Sequence, residues 1–575
     1  MKSNSLHKGD SKGQSFLHGS LILFIATALV KLIGAVYRIP LANLLGPTGI
    51  GYYSTAYDLY IPMYSIAMAG LPIAISRIVA EHVAAGRYKD VGKTLRVAKL
   101  AFVITGGTGF ILMILAAFLL TGPIAVFNKG TLPGILCIAP CLIFCCVMSA
   151  YRGYYEGLRN MTPTAVSEVL EALGKLIFGY FIAYAVLKIT GNYSYSAAGA
   201  LLGISIGTAF SSLYLVIKYR TGNKKEFTAE QIMSAPPAAS TKDTLKMLVF
   251  IAVPIVLGSL VNNVTSLIDV AMVQSQLSRA IGKAPEYFTT AYSGLISAET
   301  AQNASFDVLK DLPNSLYGCH RGYAFSIYNL VPVLTSVLGV SAIPVLATAW
   351  TKHNPDEVKA NIQTMLRTTA IIAVPAGLGI AALSGNILSL LYSDKNAIAI
   401  AAPNLRILGF CAVFSGLNAP IVSMLQAIGK QNVPLKNIAV GAVLKIIVNF
   451  VLVGTPSINI LGVPIGTTVC YAYICISNFI CLVKYSKVMP NMMSVLIKPL
   501  ISGFFCAATA FFAAKLLPRF IIYSSKIVTV IAILLAVLIY LIMLSVLRVV
   551  EREDIYSLPN GKKIAKVLEK LRIIR

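Results

Sequence analysis

Residues 21–45 have the sequence LILFIATALVKLIGAVYRIPLANLL, and this stretch decides the fold class of the chain. An apolar run of this length is long enough to cross the ~30 Å hydrocarbon core of a membrane as a helix. Comparable runs recur along all 575 residues, which are 57% hydrophobic and 12% charged, with a mean hydropathy of +0.77. Because a soluble domain has about 25% charged residues, the composition excludes soluble domains, disorder and a disulfide scaffold. It predicts an all-α polytopic membrane protein.

Hydropathy predicts about fourteen transmembrane helices. Their centres lie near Ala26, Ser65, Phe110, Ile143, Ile177, Ser205, Val261, Leu334, Gly377, Phe414, Leu444, Tyr473, Phe505 and Leu534. The first twelve form a weak repeat of six plus six, and the last two lie outside the repeat. We therefore expect two pseudo-symmetric six-helix lobes and two additional C-terminal helices.

Basic residues concentrate in alternate connections, such as residues 77–99 and 218–246, and in the tail 548–575. Positive charge marks the cytoplasmic side of a membrane protein, so we expect both termini to be cytoplasmic. The net charge of +26 is then explained by anchoring beside anionic lipids, without a nucleic-acid partner.

These patterns predict the domain organisation. The expected segments are a cytoplasmic N-terminus at 1–18, an N-lobe at 19–220, a cytoplasmic linker at 221–243, a C-lobe at 244–486, helices thirteen and fourteen at 487–547, and a basic tail at 548–575. Within the C-lobe, residues 278–316 form a long external segment, which is either an insertion or a lid over the substrate path.

The repeat is clearest between spans four to five and spans ten to eleven. Residues 156–163 (EGLRNMTP) precede a helix that contains Lys175, and residues 426–434 (QAIGKQNVP) precede a helix that contains Lys445. Both copies therefore have a helix, a short basic turn, a proline and a lysine at membrane depth. Repeated halves with a binding site at their interface are a common plan of transporters that work by alternating access.

Six cations fall within the predicted spans, and each costs about 2.5–3.5 kcal/mol at the bilayer centre. They are Lys31, Arg38, Lys175, Arg321, Arg406 and Lys445. A cost of this size indicates that the side chains face the protein interior. A cationic interior suits an anionic ligand, since arginine binds phosphate through two hydrogen bonds and lysine binds it as a point charge. We predict that Lys31, Arg38, Lys175, Arg321 and Lys445 bind substrate, whereas Arg406 anchors its helix at the interface. Interfacial anchoring is also the alternative role of Arg38 and of Arg321.

Other residues are predicted to support these cations. Gly34 lies between Lys31 and Arg38 on one helical face and leaves room for a bulky group. Glu168, Glu171 and Lys175 share a face of the fifth span, so an internal Glu171–Lys175 pair at i,i+4 is an alternative role for this lysine.

The remaining supporting candidates are two acids and an amide. Asp58 and Asp269 are acids that either pair with Arg38 or Arg321 or bind a coupling ion. Asn449 extends a polar stripe that contains Lys445 and no acid. Nothing in the chain indicates a metal site or a cofactor.

Several stretches resemble one protein family. Residues 31–46 have the sequence KLIGAVYRIPLANLLG, residues 69–81 have AGLPIAISRIVAE, and residues 153–175 have GYYEGLRNMTPTAVSEVLEALGK. These stretches resemble the stage V sporulation protein B family of oligosaccharide flippases, which are relatives of the MurJ-type lipid II flippases. The resemblance implies the fold of the multidrug/oligosaccharidyl-lipid/polysaccharide (MOP) transporter superfamily, in which two lobes form a V around a central cavity.

The resemblance also implies a function. It predicts a flippase that moves an undecaprenyl-pyrophosphate-linked cell-wall precursor, such as lipid II, across a bacterial plasma membrane for peptidoglycan or spore cortex. By position, Lys31, Arg38 and Arg321 match the cavity cations of such proteins best. We expect a monomer that works beside cell-wall synthesis enzymes. The alternatives are a multidrug or metabolite antiporter of the same superfamily and, with less support, a membrane-embedded glycosyltransferase.

Overall fold

Helix α1 (Phe16–Met68) contains the first predicted span and the centre of the second, Ser65, because the chain bends inside it. The bend lies at Gly46, whose φ of 62° and ψ of −177° are not helical. Glycine adopts this left-handed φ without the steric cost that other residues pay, and Pro47 follows it directly. The computed structural model describes residues 16–68, 70–124, 126–222, 227–302, 306–519 and 525–549.

The chain divides into two compact units. Unit 1 comprises Met1–Tyr37, Ala56–Ala125 and Lys129–Val264. It contains both ends of α1 and the helices α2 (Leu71–Ala84), α3 (Tyr88–Thr121), α4 (Leu132–Ile138), α5 (Cys141–Gly157), α6 (Thr162–Thr190), α7 (Tyr193–Gly222) and α8 (Ala229–Ser234), together with the first half of α9 (Thr241–Lys283).

Unit 2 comprises Arg38–Thr55, Val126–Asn128 and Thr265–Arg575, so the middle of α1 belongs to it. Its helices after α9 are α10 (Pro285–Ala291), α11 (Ser293–Gln302), α12 (Val308–Gly318), α13 (Phe325–Tyr328), α14 (Leu330–Thr351), α15 (Pro355–Ala382), α16 (Ser384–Leu391), α17 (Lys395–Ala427), α18 (Asn432–Val453), α19 (Gly462–Ser486), α20 (Lys498–Leu516) and α21 (Ser525–Val546). The predicted external segment 278–316 is therefore largely helical.

Within the described ranges, 12 helical segments are long and apolar enough to cross a membrane. The predicted all-α membrane fold is confirmed, and its count of fourteen is not. The centres of the first two predicted spans both lie in α1. The seventh lies in α9, where residues 257–266 have side chains outside the described residues. The expected tail 548–575 and N-terminus 1–18 also lie mostly outside them.

Both units repeat one turn between helices. Between α5 and α6, Arg159 has a φ of 59°, and between α17 and α18, Gly429 has a φ of 77°. In each turn the next N–H donates to the carbonyl five residues earlier: Asn160 to Tyr155 at 3.0 Å, and Lys430 to Leu425 at 2.8 Å. This is the left-handed helix end with a 6→1 bond. The predicted repeat is therefore visible in the backbone, and it places Lys175 and Lys445 each 16 residues after the left-handed residue.

Glycines hold α6 against α7 in unit 1. A Cβ on Gly174 would lie 2.4 Å from the Cα of Gly207, and a Cβ on Gly203 would lie 2.2 Å from the Cα of Gly179. Small residues allow membrane helices to approach closely and to pack through van der Waals contact. This contact fixes the helix that carries Glu168, Glu171 and Lys175.

The last two predicted spans form one packed pair in unit 2. Buried side chains of α20 and α21, such as Cys506 and Tyr540, form a cluster with Leu383. The hydroxyl of Tyr540 donates to the carbonyl of Ile371 in α15 at 2.7 Å. On the opposite side, large apolar residues such as Leu534 are exposed, which is the arrangement expected of helices that face lipid.

Candidate substrate pocket

A cavity of about 540 Å3 lies inside unit 1, between α1, α5, α6 and α7. Its charged lining comes from α1 (Lys31), α5 (Arg152) and α6 (Glu168, Glu171 and Lys175). The structure therefore brings four of the predicted site residues, together with Gly34, to one pocket. Gly34 has no atom within 4 Å of the place where a Cβ would stand, so the space expected at this glycine exists.

Glu171 pairs with Arg152, and its alternative pairing with Lys175 stays a prediction. An Nη atom of Arg152 lies 3.0 Å from Glu171, and its Nε donates to the hydroxyl of Ser167 at 2.8 Å. Arg152 is 7% exposed, and a charge so deeply buried is stable only when it is paired and hydrogen-bonded. Its demand for a counterion therefore accounts for the Arg152–Glu171 pair.

Glu168 connects α6 with α1 at the end of the pocket near Thr27. The Thr27 hydroxyl donates to Glu168 at 3.0 Å, and no ion pair found among the described residues includes Glu168. This carboxylate faces the cavity. A carboxylate has about four acceptor positions, so it can accept further hydrogen bonds from a ligand.

Lys175 lines the same pocket and lies against aromatic rings. Its Nζ is 5.4 Å from the ring centre of Tyr37 and 5.1 Å from that of Tyr57. Such cation–π contacts stabilise an ammonium group by about 0.5–2 kcal/mol. The two rings of α1 therefore help to position Lys175 in the pocket.

Tyrosines form one wall of the pocket. Tyr57, Tyr60 and Tyr64 follow each other along α1, with ring centres 6.0 Å and 5.4 Å apart. The hydroxyl of Tyr60 contacts the thiols of Cys141 and Cys145 behind the wall, at 3.2 Å and 3.4 Å. The wall thus presents ring surface beside the charged groups.

A second polar cluster lies in unit 2, around the other repeated lysine. The Nζ of Lys445 is 2.9 Å from Asp269 of α9, and the amide of Asn449 donates to the second oxygen of Asp269 at 2.8 Å. The stripe of α18 itself contains no acid, as predicted, and the partner of Lys445 comes from α9. Each oxygen of Asp269 accepts one hydrogen bond from α18, and the pairing of this acid with Arg38 or Arg321 stays a prediction.

The two predicted arginines of unit 2 lie near one turn. An Nη of Arg38 donates to the hydroxyl of Ser326 at 3.2 Å. Arg321 lies in the π-helical segment Cys319–Ala324, and its guanidinium is 4.1 Å from the ring centre of Phe325. Irregular turns of this kind are frequent at functional sites. Asp58 is fully buried on α1, and Arg406 is exposed, as expected for an anchor.

Two buried arginines were missed in the sequence. Arg152 lies in the fourth predicted span but was not counted among the cations at membrane depth. Arg367 is 1% exposed in α15 and donates to Ser494 at 2.9 Å. Both arginines lie near the boundary of a predicted span, so a criterion that includes arginines within about one helical turn of such a boundary finds them. Across the described ranges, no group of three His, Cys, Asp or Glu residues could hold a metal ion.

Comparisons with known proteins match this architecture. Residues 16–298 match the family model "Polysaccharide biosynthesis protein", and residues 321–451 match the model "MatE". The chain is 24% identical to stage V sporulation protein B of Bacillus subtilis over 558 residues, which cover 95% of this chain and 98% of that protein. It is 24% identical to lipid II flippase MurJ of the same organism over 454 residues, or 76% and 77% of the two chains.

Solved structures share the fold. Lipid II flippase MurJ in an inward closed conformation aligns with a TM-score of 0.63 at 16% identity, covering 92% of this chain and 98% of that one. An inward-facing multidrug resistance MATE family transporter of the MOP superfamily also gives 0.63, at 15% identity and with coverage of 80% and 94%. The expected resemblance is confirmed. The chain is a multi-pass helical membrane protein, and the relatives and solved structures that it is similar to include a flippase and a MATE transporter.

Proposed function

We propose that this homologue of stage V sporulation protein B moves an anionic, lipid-linked oligosaccharide from the inner to the outer leaflet of a bacterial plasma membrane. The substrate class is an undecaprenyl-pyrophosphate-linked cell-wall precursor such as lipid II, used for peptidoglycan or spore cortex. Movement occurs by alternating access of two lobes, 19–220 and 244–486, in a monomer whose termini are both cytoplasmic.

One observation carries the proposal: Lys31 and Lys175 line the same cavity of unit 1, in which Arg152 is already bound by Glu171. The charged lining has three cations and two acids. Lysine binds a phosphate as a point charge, so two lysines in one pocket suit a diphosphate. We assign them to that group, and we assign Arg38 and Arg321 of unit 2 to the same substrate at another stage of transport.

The second candidate is a multidrug or metabolite antiporter of the same superfamily. The tyrosine wall and Glu168 would suit an aromatic cation, which supports this alternative. The excess of cations in the lining favours the anionic substrate instead.

The test is leaflet-resolved measurement of lipid II in cells depleted of the protein and complemented with variants. We expect Lys31→Ala and Lys175→Ala to leave lipid II in the inner leaflet. Lys31→Arg retains the charge and should retain transport. Lys188→Ala is the matched control, because Lys188 lies on the same α6 helix, is exposed and does not line the pocket. Normal outer-leaflet lipid II with both alanine variants would reject the proposal.

The proposed substrate also determines the driving force. A lipid diphosphate carries about two negative charges, and moving one charge through the whole membrane potential changes its energy by about 2.3 kcal/mol per 100 mV. Outward movement would then gain on the order of 4–5 kcal/mol in a membrane that is negative inside. We expect flipping to stop when valinomycin and potassium hold the potential at zero at constant pH and sodium gradients. Undiminished flipping under that clamp would reject the electrogenic model.

A further inference from the structure

We infer that the unit 1 pocket binds its ligand in one orientation, with the diphosphate at Lys31 and Lys175 and the sugar at Glu168. Glu168 is then the residue that distinguishes a diphosphate bearing a sugar from a diphosphate without one. This inference rests on the proposed function, and it adds the recognition of the saccharide to it.

Glu168 and Lys175 line the pocket at different levels of α6. Glu168 contacts Thr27 and Lys175 contacts Tyr37 of α1, and Lys31 lies between those two α1 residues in the sequence. The two α6 residues are seven positions apart, which corresponds to about 10 Å along a helix that rises 1.5 Å per residue. A diphosphate joined to one hexose ring fills a distance of this order. A ligand with phosphate at one end and hydroxyl groups at the other therefore matches the pocket in one direction only.

The acids of the pocket differ in what they already bind. Glu171 is neutralised by Arg152 at 3.0 Å, and Arg152 is further held by Ser167. Glu168 instead accepts a hydrogen bond from the Thr27 hydroxyl, on one of its two oxygens. An ionised carboxylate only accepts hydrogen bonds, so its partner in a ligand must be a donor. Sugar hydroxyl and acetamido N–H groups are such donors, whereas phosphate oxygens are repelled.

The tyrosine wall of Tyr57, Tyr60 and Tyr64 provides the second half of a sugar site. Its ring centres are 6.0 Å and 5.4 Å apart, so the aromatic surface runs continuously along one side of the cavity. The C–H face of a pyranose ring is apolar and packs on aromatic surface, while its hydroxyl groups point outward at the rim. Glu168, on the facing helix α6, would accept hydrogen bonds from those hydroxyl groups.

The repeat shows that this acid is a feature of unit 1 alone. Lys445 occupies the register of Lys175, 16 residues after the left-handed residue of the turn. In the same register, the positions of Glu168 and Glu171 are occupied by Ile438 and Gly441. The shared helix plan therefore does not require an acid at position 168. We therefore attribute Glu168 to the ligand of the unit 1 pocket.

The experiment measures the binding of two probes to the purified full-length chain in nanodiscs. One probe is farnesyl diphosphate, and the other is farnesyl diphosphate carrying N-acetylglucosamine. We expect the wild type to prefer the glycosylated probe about tenfold, the effect of one hydrogen bond to a charged group. Glu168→Leu should abolish the preference while binding farnesyl diphosphate as well or better, because a negative charge has left the pocket. Lys175→Met should weaken both probes.

Thr27→Val is the companion variant, because it removes the hydroxyl that orients Glu168 and leaves the carboxylate in place. We expect it to reduce the preference severalfold. Binding of farnesyl diphosphate by both variants shows that they are folded. If Glu168→Leu retains the wild-type preference, the orientation is wrong although the proposed function stands. If the wild type binds neither probe, the proposed function itself is rejected.

Discussion

The buried pair of Lys445 and Asp269 gives the sharpest test of the structure. Lys445→Met removes the ammonium group from a carboxylate that lies 2.9 Å away, where the two side chains are 15% and 18% exposed. Removing one partner of a buried pair costs about 3–5 kcal/mol, because the other charge stays buried. Asn449 still donates to Asp269 at 2.8 Å. We therefore expect a loss near the lower end, about 3 kcal/mol.

The free energy of unfolding can be measured by SDS titration in mixed micelles. The chain has one tryptophan, Trp350, which packs against the large buried cluster of unit 2, so its fluorescence reports the unit that contains the pair. Lys310→Met is the control in the same unit, because the Asp307–Lys310 pair is 2.8 Å long but its side chains are 39% and 79% exposed. Exposed pairs contribute about 0–1 kcal/mol.

The double variant Lys445→Met with Asp269→Leu distinguishes two costs of Lys445→Met, the loss of the ion pair and the burial of an unpaired carboxylate. Apolar replacements of a buried pair are often neutral, so we expect the double variant to recover to within about 1 kcal/mol of the wild type. Two results would refute the reasoning. One is a Lys445→Met loss no larger than that of Lys310→Met, and the other is a double variant as unstable as the single one.

Three further outcomes are expected in stability measurements. Arg152→Met should lower the free energy of unfolding by about 3–5 kcal/mol, and Glu171→Gln in the same chain should restore most of it. Gly203→Ala should cost about 1–3 kcal/mol through overpacking of α6 on α7, whereas Gly107→Ala, with nothing within 4 Å, should not destabilise. Burial raises the pKa of Glu299 from 4.5 to about 7, so stability should fall by about 3 kcal/mol as pH rises through that interval. Thermal midpoints at pH 5 and pH 8 that differ as much in Glu299→Gln as in the wild type would contradict this assignment.

Local and repetitive features of the fold could be predicted from the sequence. The helical membrane fold follows from run length and composition, and the repeated turn follows from matching motifs at 156–163 and 426–434. The number of spans could not be fixed in the same way. Hydropathy counts apolar segments, whereas the bend at Gly46 joins two of them within α1. A glycine–proline step is compatible with either a bend or a break, and packing decides between them.

The spacing of residues in the sequence could not predict which charged side chains form ion pairs. A sequence shows which residues share a helix face, and it correctly grouped Glu168, Glu171 and Lys175. It does not show which neighbouring helix supplies the counterion of each charged residue. Arg152 reaches Glu171 from α5, and Asp269 reaches Lys445 from α9. Each of these pairs joins residues on different helices, 19 and 176 positions apart, so the folded arrangement of helices selects them.

In both units, the first and fifth helices of the repeat make a polar contact with each other, but the signs of the charges on the two helices are exchanged. In unit 1, the first helix contributes Thr27 and Lys31 and the fifth contributes the acids of the pocket. In unit 2, the first helix of the repeat contributes Asp269 and the fifth contributes Lys445. The contact in unit 2 is closed by a salt bridge, whereas the contact in unit 1 borders a cavity. The same pair of helices can therefore stabilise the fold in unit 2 and bind a ligand in unit 1. We therefore expect loss of Lys445 to lower the free energy of unfolding and loss of Lys175 to reduce transport.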